Sequence, residues 1–122
     1  MAFSKNQSSL KNRIYKIVKE IPMGKVATYG EIAEKLRVES EDWKVDSRIV
    51  GWMLHQNRDS RVPCHRVVDR NGRLAPNFAF SAKGGSAPGW DGWREQRRRL
   101  EVEGVKFTDE MHVDLATCLW HV

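Results

Sequence analysis

Apolar positions along the chain fall into short periodic blocks separated by polar stretches. Leu10, Ile14, Ile17, Val18 and Ile21 recur at three- and four-residue steps. That is one stripe of an amphipathic helix, with Lys11, Arg13, Lys16 and Lys19 largely off it. Ser8 or Ser9 is the expected N-cap, and Pro22 and Gly24 close the helix. Residues 25–27 read as a short extended link. Thr28 and Glu31 have capping-box spacing and open a second, short helix through Ile32 to Leu36. The stretch 38–46, polar except for Trp43 and Val45, reads as a connecting loop. Asp46 or Ser47 then caps a third helix, Arg48 to about Gln56, carrying Ile49, Val50, Trp52, Met53 and Leu54. Asn71-Gly72 is a strong turn signal between short extended runs, one of them Val67-Val68. Residues 75–89, rich in Ala, Gly, Ser and Pro, form one long loop. A last long helix starts near Asp91, runs to Val102 and ends at Gly104 as its C′ residue. The tail alternates at Met111, Val113 and Leu115 and closes on Leu119-Trp120.

These elements predict a mainly α domain with a small β element. Two short helices around a loop, the second with Arg48 near its start, suggest a helix-turn-helix or winged relative. The same pattern also suits two helices that merely pack in a core.

Length changes the picture little: 122 residues are one domain, expected to occupy 1–122 and to bury roughly two-thirds of the surface of its unfolded chain. No apolar run approaches the roughly 18–20 residues of a membrane span, and residues 1–12 lack a signal-peptide apolar region. The expected location is the cytoplasm, at the nucleoid in a prokaryote, or the nucleus in a eukaryote. A net charge of +5 favours an acidic partner, nucleic acid first. Five tryptophans are a heavy load, most of them expected as core or edge anchors and only a minority as base-stacking platforms.

Chemistry concentrates at Pro63-Cys64-His65-Arg66. A thiol beside an imidazole and a guanidinium is expected to have a lowered pKa and a larger thiolate fraction. Pro63 fixes the chain entering the turn, and Val67-Val68 suggests a buried strand behind it. The alternative is a small buried hydrophobe at Cys64 and a surface histidine. Neither the two cysteines nor the other histidines, His55, His112 and His121, have metal-ligand spacing, so no metal is expected.

Pro63-Cys-His-Arg66-Val-Val68 resembles the active-site signature of the O6-alkylguanine-DNA alkyltransferases. Ile21-Pro-x-Gly24-Lys-Val26-x-Thr-Tyr29-Gly-Glu-Ile-Ala33 resembles the entry to that family's helix-turn-helix, and Arg48-Ile-Val-Gly51 the start of its recognition helix. Asn57 stands at about the family's distance before the active-site turn, and Leu100-Glu-Val-Glu103-Gly104-Val resembles the end of its last helix. Together these cover roughly residues 10–107 in the family's order. The resemblance implies the carboxy-terminal DNA-binding and active-site domain of that family, without its amino-terminal domain.

It also implies roles. Double-stranded DNA carrying O6-alkylguanine would be the partner, and the damaged nucleotide would be flipped into a pocket. Arg48 would enter the minor groove and fill the vacated stack, while Tyr29 would crowd the target phosphate. Thr28 and Gly51 would accompany them on the DNA side. Cys64 would accept the alkyl group irreversibly, His65 would take its proton through a water, and Glu103 would orient the imidazole. Asn57 would brace the active-site turn formed by Pro63, Arg66 and Val67. No cofactor is implied, and a monomer is expected.

The family's Tyr-Ser-Gly-Gly stretch has no counterpart; the region of Trp90-Asp91-Gly92 stands in its place, with Ser81 and Ser86 as candidate substitutes. Extra residues also lengthen the connection between Tyr29 and Arg48. The short chain and the Leu119-Trp120 ending are similar to the alkyltransferase-like proteins, which bind alkylated guanine without transfer and direct it to nucleotide excision repair proteins. Those relatives usually lack the cysteine that this chain keeps. Three readings follow: an alkyltransferase, a lesion-binding module, and a plain helix-turn-helix DNA-binding protein.

Overall fold

The computed structural model describes residues 5–41, 43–76, 78 and 92–122. The first helix, α1, spans Lys5–Lys19, so it starts earlier than the apolar stripe indicates. Ser8 and Ser9 lie inside it and do not cap it. Its apolar stripe is buried as expected: Ile14, Ile17, Val18 and Ile21 are at most 5% exposed. The chain turns at Gly24, whose φ of +88° suits a residue without a Cβ.

Strand β1, Ala27–Thr28, leads directly into α2, Tyr29–Ser40. Thr28 Oγ1 accepts the Glu31 amide at 3.2 Å, the first half of the expected capping box. In the other half, Glu31 Oε1 accepts the Thr28 hydroxyl at 3.3 Å, not its backbone amide. Helix α2 runs well past Leu36 and takes in Val38, which the sequence reading assigns to the loop. The true connection to α3 (Ser47–His55) is therefore short. It is held by Arg37, which donates to the Val45 carbonyl at 2.6 Å, and by the buried Val45 side chain. Asp46 caps α3 by accepting the Ile49 amide at 2.9 Å.

Beyond α3, a single 3-10 turn at Cys64–Arg66 precedes β2, Val67–Val68. The two strands pair in parallel, Ala27 with Val67 and Thr28 with Val68. A parallel pair needs a long crossover, and α2 and α3 supply it. This corrects the expected hairpin: Asn71-Gly72 does turn, with Gly72 at φ +83°, but Arg73 bridges to His112 and not back to the strand. Helix α4, Gly92–Val102, and the left-handed Gly104 match expectation. Its proposed first residue, Asp91, lies outside the described residues, as do most of the 75–89 loop, Ser81, Ser86 and Trp90. In the alternating patch at residues 111–115, His112 bridges to Arg73 and Val113 to Phe107, and a short helix α5, Leu115–Cys118, begins at its last residue.

The small sheet separates two apolar clusters by strand alternation. Ala27 and Val67 face the α1–α2–α3 side; Val26 and Val68 face a second cluster with Leu74, Leu100, Val105 and Val113. Among the described residues, no helix is long and apolar enough to cross a membrane.

Candidate functional site

The 3-10 turn puts Cys64 at the base of a small pocket between α3 and the chain at 75–78. The thiol is 6% exposed and free. Tyr29, Gly51, Leu54, His55, Ala75 and Phe78 line this space of about 30 Å³ with it. That is roughly the volume of one water in the liquid. Tyr29, Gly51, His55 and Ala75 also line a wider groove of about 690 Å³, bordered by Arg48, Trp52, Arg70 and Arg73. That volume lies in the range of ligand sites. The site is thus a shallow well at the edge of a basic groove.

Cys64 does not have the electrostatics that its sequence neighbours suggest. Burial pushes the thiol pKa above its ordinary 9.0, and the Asn57 hydrogen bond and the charge of Arg99 offset this only in part. The expected lowering by His65 and Arg66 fails because both side chains are committed elsewhere. Arg66 holds Glu103 through Nε to Oε1 at 2.9 Å and a second nitrogen to Oε2 at 2.8 Å. Its remaining nitrogen donates to the Ile21 carbonyl at 2.8 Å. His65 Nε2 meets Glu103 Oε2 at 2.8 Å.

Glu103 is largely buried; burial raises its pKa, but Arg66 and His65 together outweigh that and hold it below the ordinary value. An ionised carboxylate only accepts, so His65 Nε2 carries the shared proton. Burial also lowers the His65 pKa, more than Glu103 raises it. At neutral pH the ring is therefore neutral, with a lone pair on Nδ1. A neutral imidazole oriented by a carboxylate can accept a proton.

Asn57, 1% exposed, folds the chain before the turn. It donates to the carbonyls of Asp59 (3.1 Å) and Val62 (3.3 Å) and accepts the Asp59 amide at 2.9 Å. Cys64 then starts its turn with a 2.8 Å bond to the Val62 carbonyl. Pro63 and Val67 flank the turn, Val67 fully buried. On the groove side, the Tyr29 ring lies beside Gly51, and burial raises its phenol pKa, so the hydroxyl stays protonated. The Arg48 side chain is 92% exposed, with only a 3.4 Å contact to Asp46. Thr28, expected on the DNA side, is instead buried at 7% with its hydroxyl in the cap. What it does is set the start of the helix that carries Tyr29.

Three participants escaped the sequence reading. Gln96 is fully buried and donates to the His65 carbonyl (3.1 Å) and the Val67 carbonyl (3.0 Å) while accepting the Ala75 amide (2.7 Å). Its position on the stripe of Trp93 and Leu100 was the available signal. His55, seven residues after Arg48, lines both the well and the groove. Phe78 walls the well and lies under the Arg99 guanidinium at 5.4 Å, and Arg99 is held to Glu95 at 2.8 Å.

A methyl at residue 51 would meet the Tyr29 ring at 3.8 Å, an ordinary contact. Gly51→Ala should therefore fold at least as well as the parent, by up to about 1 kcal/mol from helix propensity. It would also fill part of the well above Cys64. Thermal melts should show an equal or higher Tm; a clear drop in Tm would show that the helix contact is tighter than 3.8 Å implies.

Stability should depend on pH through the same groups. His65 has a depressed pKa in the fold, so its contribution is present above its ordinary 6.5 and is lost as pH falls through the folded value. Cys64 has a raised pKa, so its contribution is present below 9.0 and is lost as pH rises through the folded value. Chemical denaturation across pH 5–10 should give a plateau near neutrality that falls on both sides. His65→Gln should flatten the acid limb. An acid limb of unchanged slope in that variant would remove His65 as its source.

Residues 9–105 match the family described as 6-O-methylguanine DNA methyltransferase, DNA binding domain. A methylated-DNA--protein-cysteine methyltransferase of Candida glabrata is 45% identical over 69 residues, 56% of this chain and 31% of that protein. Alkyltransferase-like protein 1 of Schizosaccharomyces pombe is 34% identical over 112 residues, 88% of this chain and 91% of that protein. The crystal structure of S. pombe Atl1 in complex with damaged DNA containing O6-carboxymethylguanine superposes with a TM-score of 0.68 at 30% identity, covering 98% of both chains. The match thus takes in under a third of the C. glabrata methyltransferase. Motif order, fold and similarity over residues 9–105 agree: this chain belongs to the 6-O-methylguanine DNA methyltransferase family, through that family's DNA-binding domain.

Proposed function

We propose that this protein binds DNA containing O6-alkylguanine, turns the damaged nucleotide out of the duplex and transfers the alkyl group to its own Cys64. The observation that carries the reading is one turn bearing Cys64 and His65, with His65 held at 2.8 Å by an ionised Glu103 that Arg66 grips in turn. In this reading His65 Nδ1 takes the thiol proton, directly or through a water. The thiolate then attacks the alkyl carbon, the S–C bond forms as the C–O6 bond breaks, and the electron pair stays on guanine. The imidazolium of His65 then gives its proton to the guanine anion, leaving normal guanine, a thioether at Cys64 and a neutral His65. Thiol ionisation is unfavourable in a buried site, so the reading needs a proton acceptor, and a neutral His65 held by Glu103 on the same turn is the group that would fill that role.

The groove supports the DNA half of the proposal. Arg48 stands exposed at the start of α3, and Tyr29 stands between the groove and the well. Asn57 shapes the turn, and Pro63, Arg66 and Val67 hold it. Gly51 leaves the space above the thiol open. Affinity should fall with added salt, because phosphate contacts by Arg and Lys release counterions.

A second reading is a lesion-binding protein that recognises alkylated guanine without transfer. Its support is the match to alkyltransferase-like protein 1 over nearly the whole of both chains, and the small, buried well around Cys64. Intact mass after incubation with an O6-methylguanine duplex under reducing conditions separates the two. One methyl on the Cys64 peptide supports transfer; tight lesion binding with unchanged mass supports the second reading.

A further inference from the structure

The groove has an aromatic feature that neither half of the proposal uses. Of the four described tryptophans, Trp93 and Trp120 pack against the apolar clusters, whereas Trp43 and Trp52 stand exposed at 73% and 52%. The expectation that most are core or edge anchors therefore fails for these two. Trp43 sits in the connection before α3, outside the groove. Trp52 lines the groove with Tyr29, Arg48, Arg70 and Arg73. A large indole left half in water on a charged surface is a feature of interaction sites.

We infer that Trp52 is a second DNA-contacting side chain of α3, stacking on a nucleotide about two steps from the one that Arg48 addresses. This rests on the DNA-binding reading above. Arg48 and Trp52 are four residues apart in one helix, so they share a face and lie about 6 Å apart along its axis. Nucleotides along a strand are spaced by about 3.4 Å, which makes that separation close to two steps. The surroundings are charged for the purpose: Arg48, Arg70 and Arg73 border the groove, and Asp69 is its one acidic residue among the described ones. One oxygen of its carboxylate, Oδ1, accepts the amides of Asn71 (2.8 Å) and Arg73 (2.9 Å). Cationic walls would hold phosphates while the indole takes a base or sugar face, the combination that single-strand and flipped-base binders use. Val50, Met53 and Leu54 carry the core side of α3, and Trp52 keeps about half of its surface in water.

The test is made in the Cys64→Ala background of the full chain, so that alkyl transfer does not obscure binding. Affinity for an O6-methylguanine duplex is measured by fluorescence anisotropy for Trp52→Ala, Trp52→Phe and Arg48→Ala at one salt concentration. Trp52→Ala should bind roughly 5- to 100-fold more weakly, the range for loss of one stacked base, and Trp52→Phe should keep most of the affinity. Thermal melts of both should match the parent. Photo-cross-linking to 5-iodouracil placed two nucleotides from the lesion should label the peptide carrying Trp52. Parental affinity of Trp52→Ala, with Arg48→Ala weakened, would overturn the role of Trp52 and leave the DNA-binding reading standing. Parental affinity of both variants would overturn both.

Discussion

Cys64→Ala should abolish alkyl transfer completely while leaving lesion binding within about threefold of the parent, because the sulfur contributes only van der Waals contact to a bound base. Among the described residues that line the well, the thiol is the strongest nucleophile; the others are a phenol held protonated by burial, an imidazole and apolar atoms. The protein's second cysteine, Cys118, is buried in the other apolar cluster, where its sulfur accepts the Lys106 amide at 3.3 Å. The check is intact mass with peptide mapping after exposure to an O6-methylguanine duplex, alongside anisotropy on the same duplex. A methyl appearing on the variant, at Cys118 or elsewhere, would sink the assignment of Cys64 as acceptor. Parent protein that binds the lesion and gains no mass would favour the lesion-binding reading. Its physical cause would then be the raised thiol pKa and the narrow well that Phe78 and Ala75 wall off.

Gln96→Leu should be the most damaging single change to stability outside the apolar clusters. The side chain has no exposure and satisfies three backbone groups at once: the His65 and Val67 carbonyls and the Ala75 amide. Leucine fills a similar volume but removes this partner from all three, the Val67 carbonyl in a fully buried bond and the other two in partly buried ones. At about 1–3 kcal/mol per stranded group, the loss should reach at least about 3 kcal/mol. For a domain of this size that is a fall in Tm of roughly 10–15 °C. Alkyl transfer should suffer beyond the loss of folded protein, since the bonds run to the turn that carries His65 and to the chain entering Phe78. A melt within a few degrees of the parent would mean that those carbonyls have other adequate partners.

Gln96 also shows where reading the sequence stops. A glutamine among Arg94, Arg97, Arg98 and Arg99 looks like one more polar surface residue. Its stripe position with Trp93 and Leu100 places it on the buried face, but what it bonds is thirty residues away. The start of α1 was hidden for a different reason. Residues 5–9 are polar throughout, so no apolar period marks them, although the helix takes them in. The partner of Val67-Val68 was equally out of reach, because a two-residue strand pairing in parallel across two helices leaves no local turn signal. Local chemistry, by contrast, was plain: the Thr28 and Asp46 caps, the Gly24, Gly72 and Gly104 turns and the α4 limits are all short-range effects.

The sequence by itself determined the order of α1 to α4, the caps at Thr28 and Asp46, the family membership and which side chains are candidates for the site: Cys64, His65, Glu103, Asn57, Tyr29 and Arg48. Each of these depends on residues within a few positions of one another or on motif order along the chain. Tertiary structure decided what those residues experience. His65 and Arg66 directly follow Cys64 in sequence, yet both bond Glu103, 38 and 37 residues on, and the thiol pKa is raised and not lowered. Burial, which only packing can set, pushes Cys64 up and keeps His65 neutral. The same packing leaves Trp52 in the groove beside Arg48. Charge and desolvation act through space, and the distances that govern them are fixed only when distant segments of the chain meet.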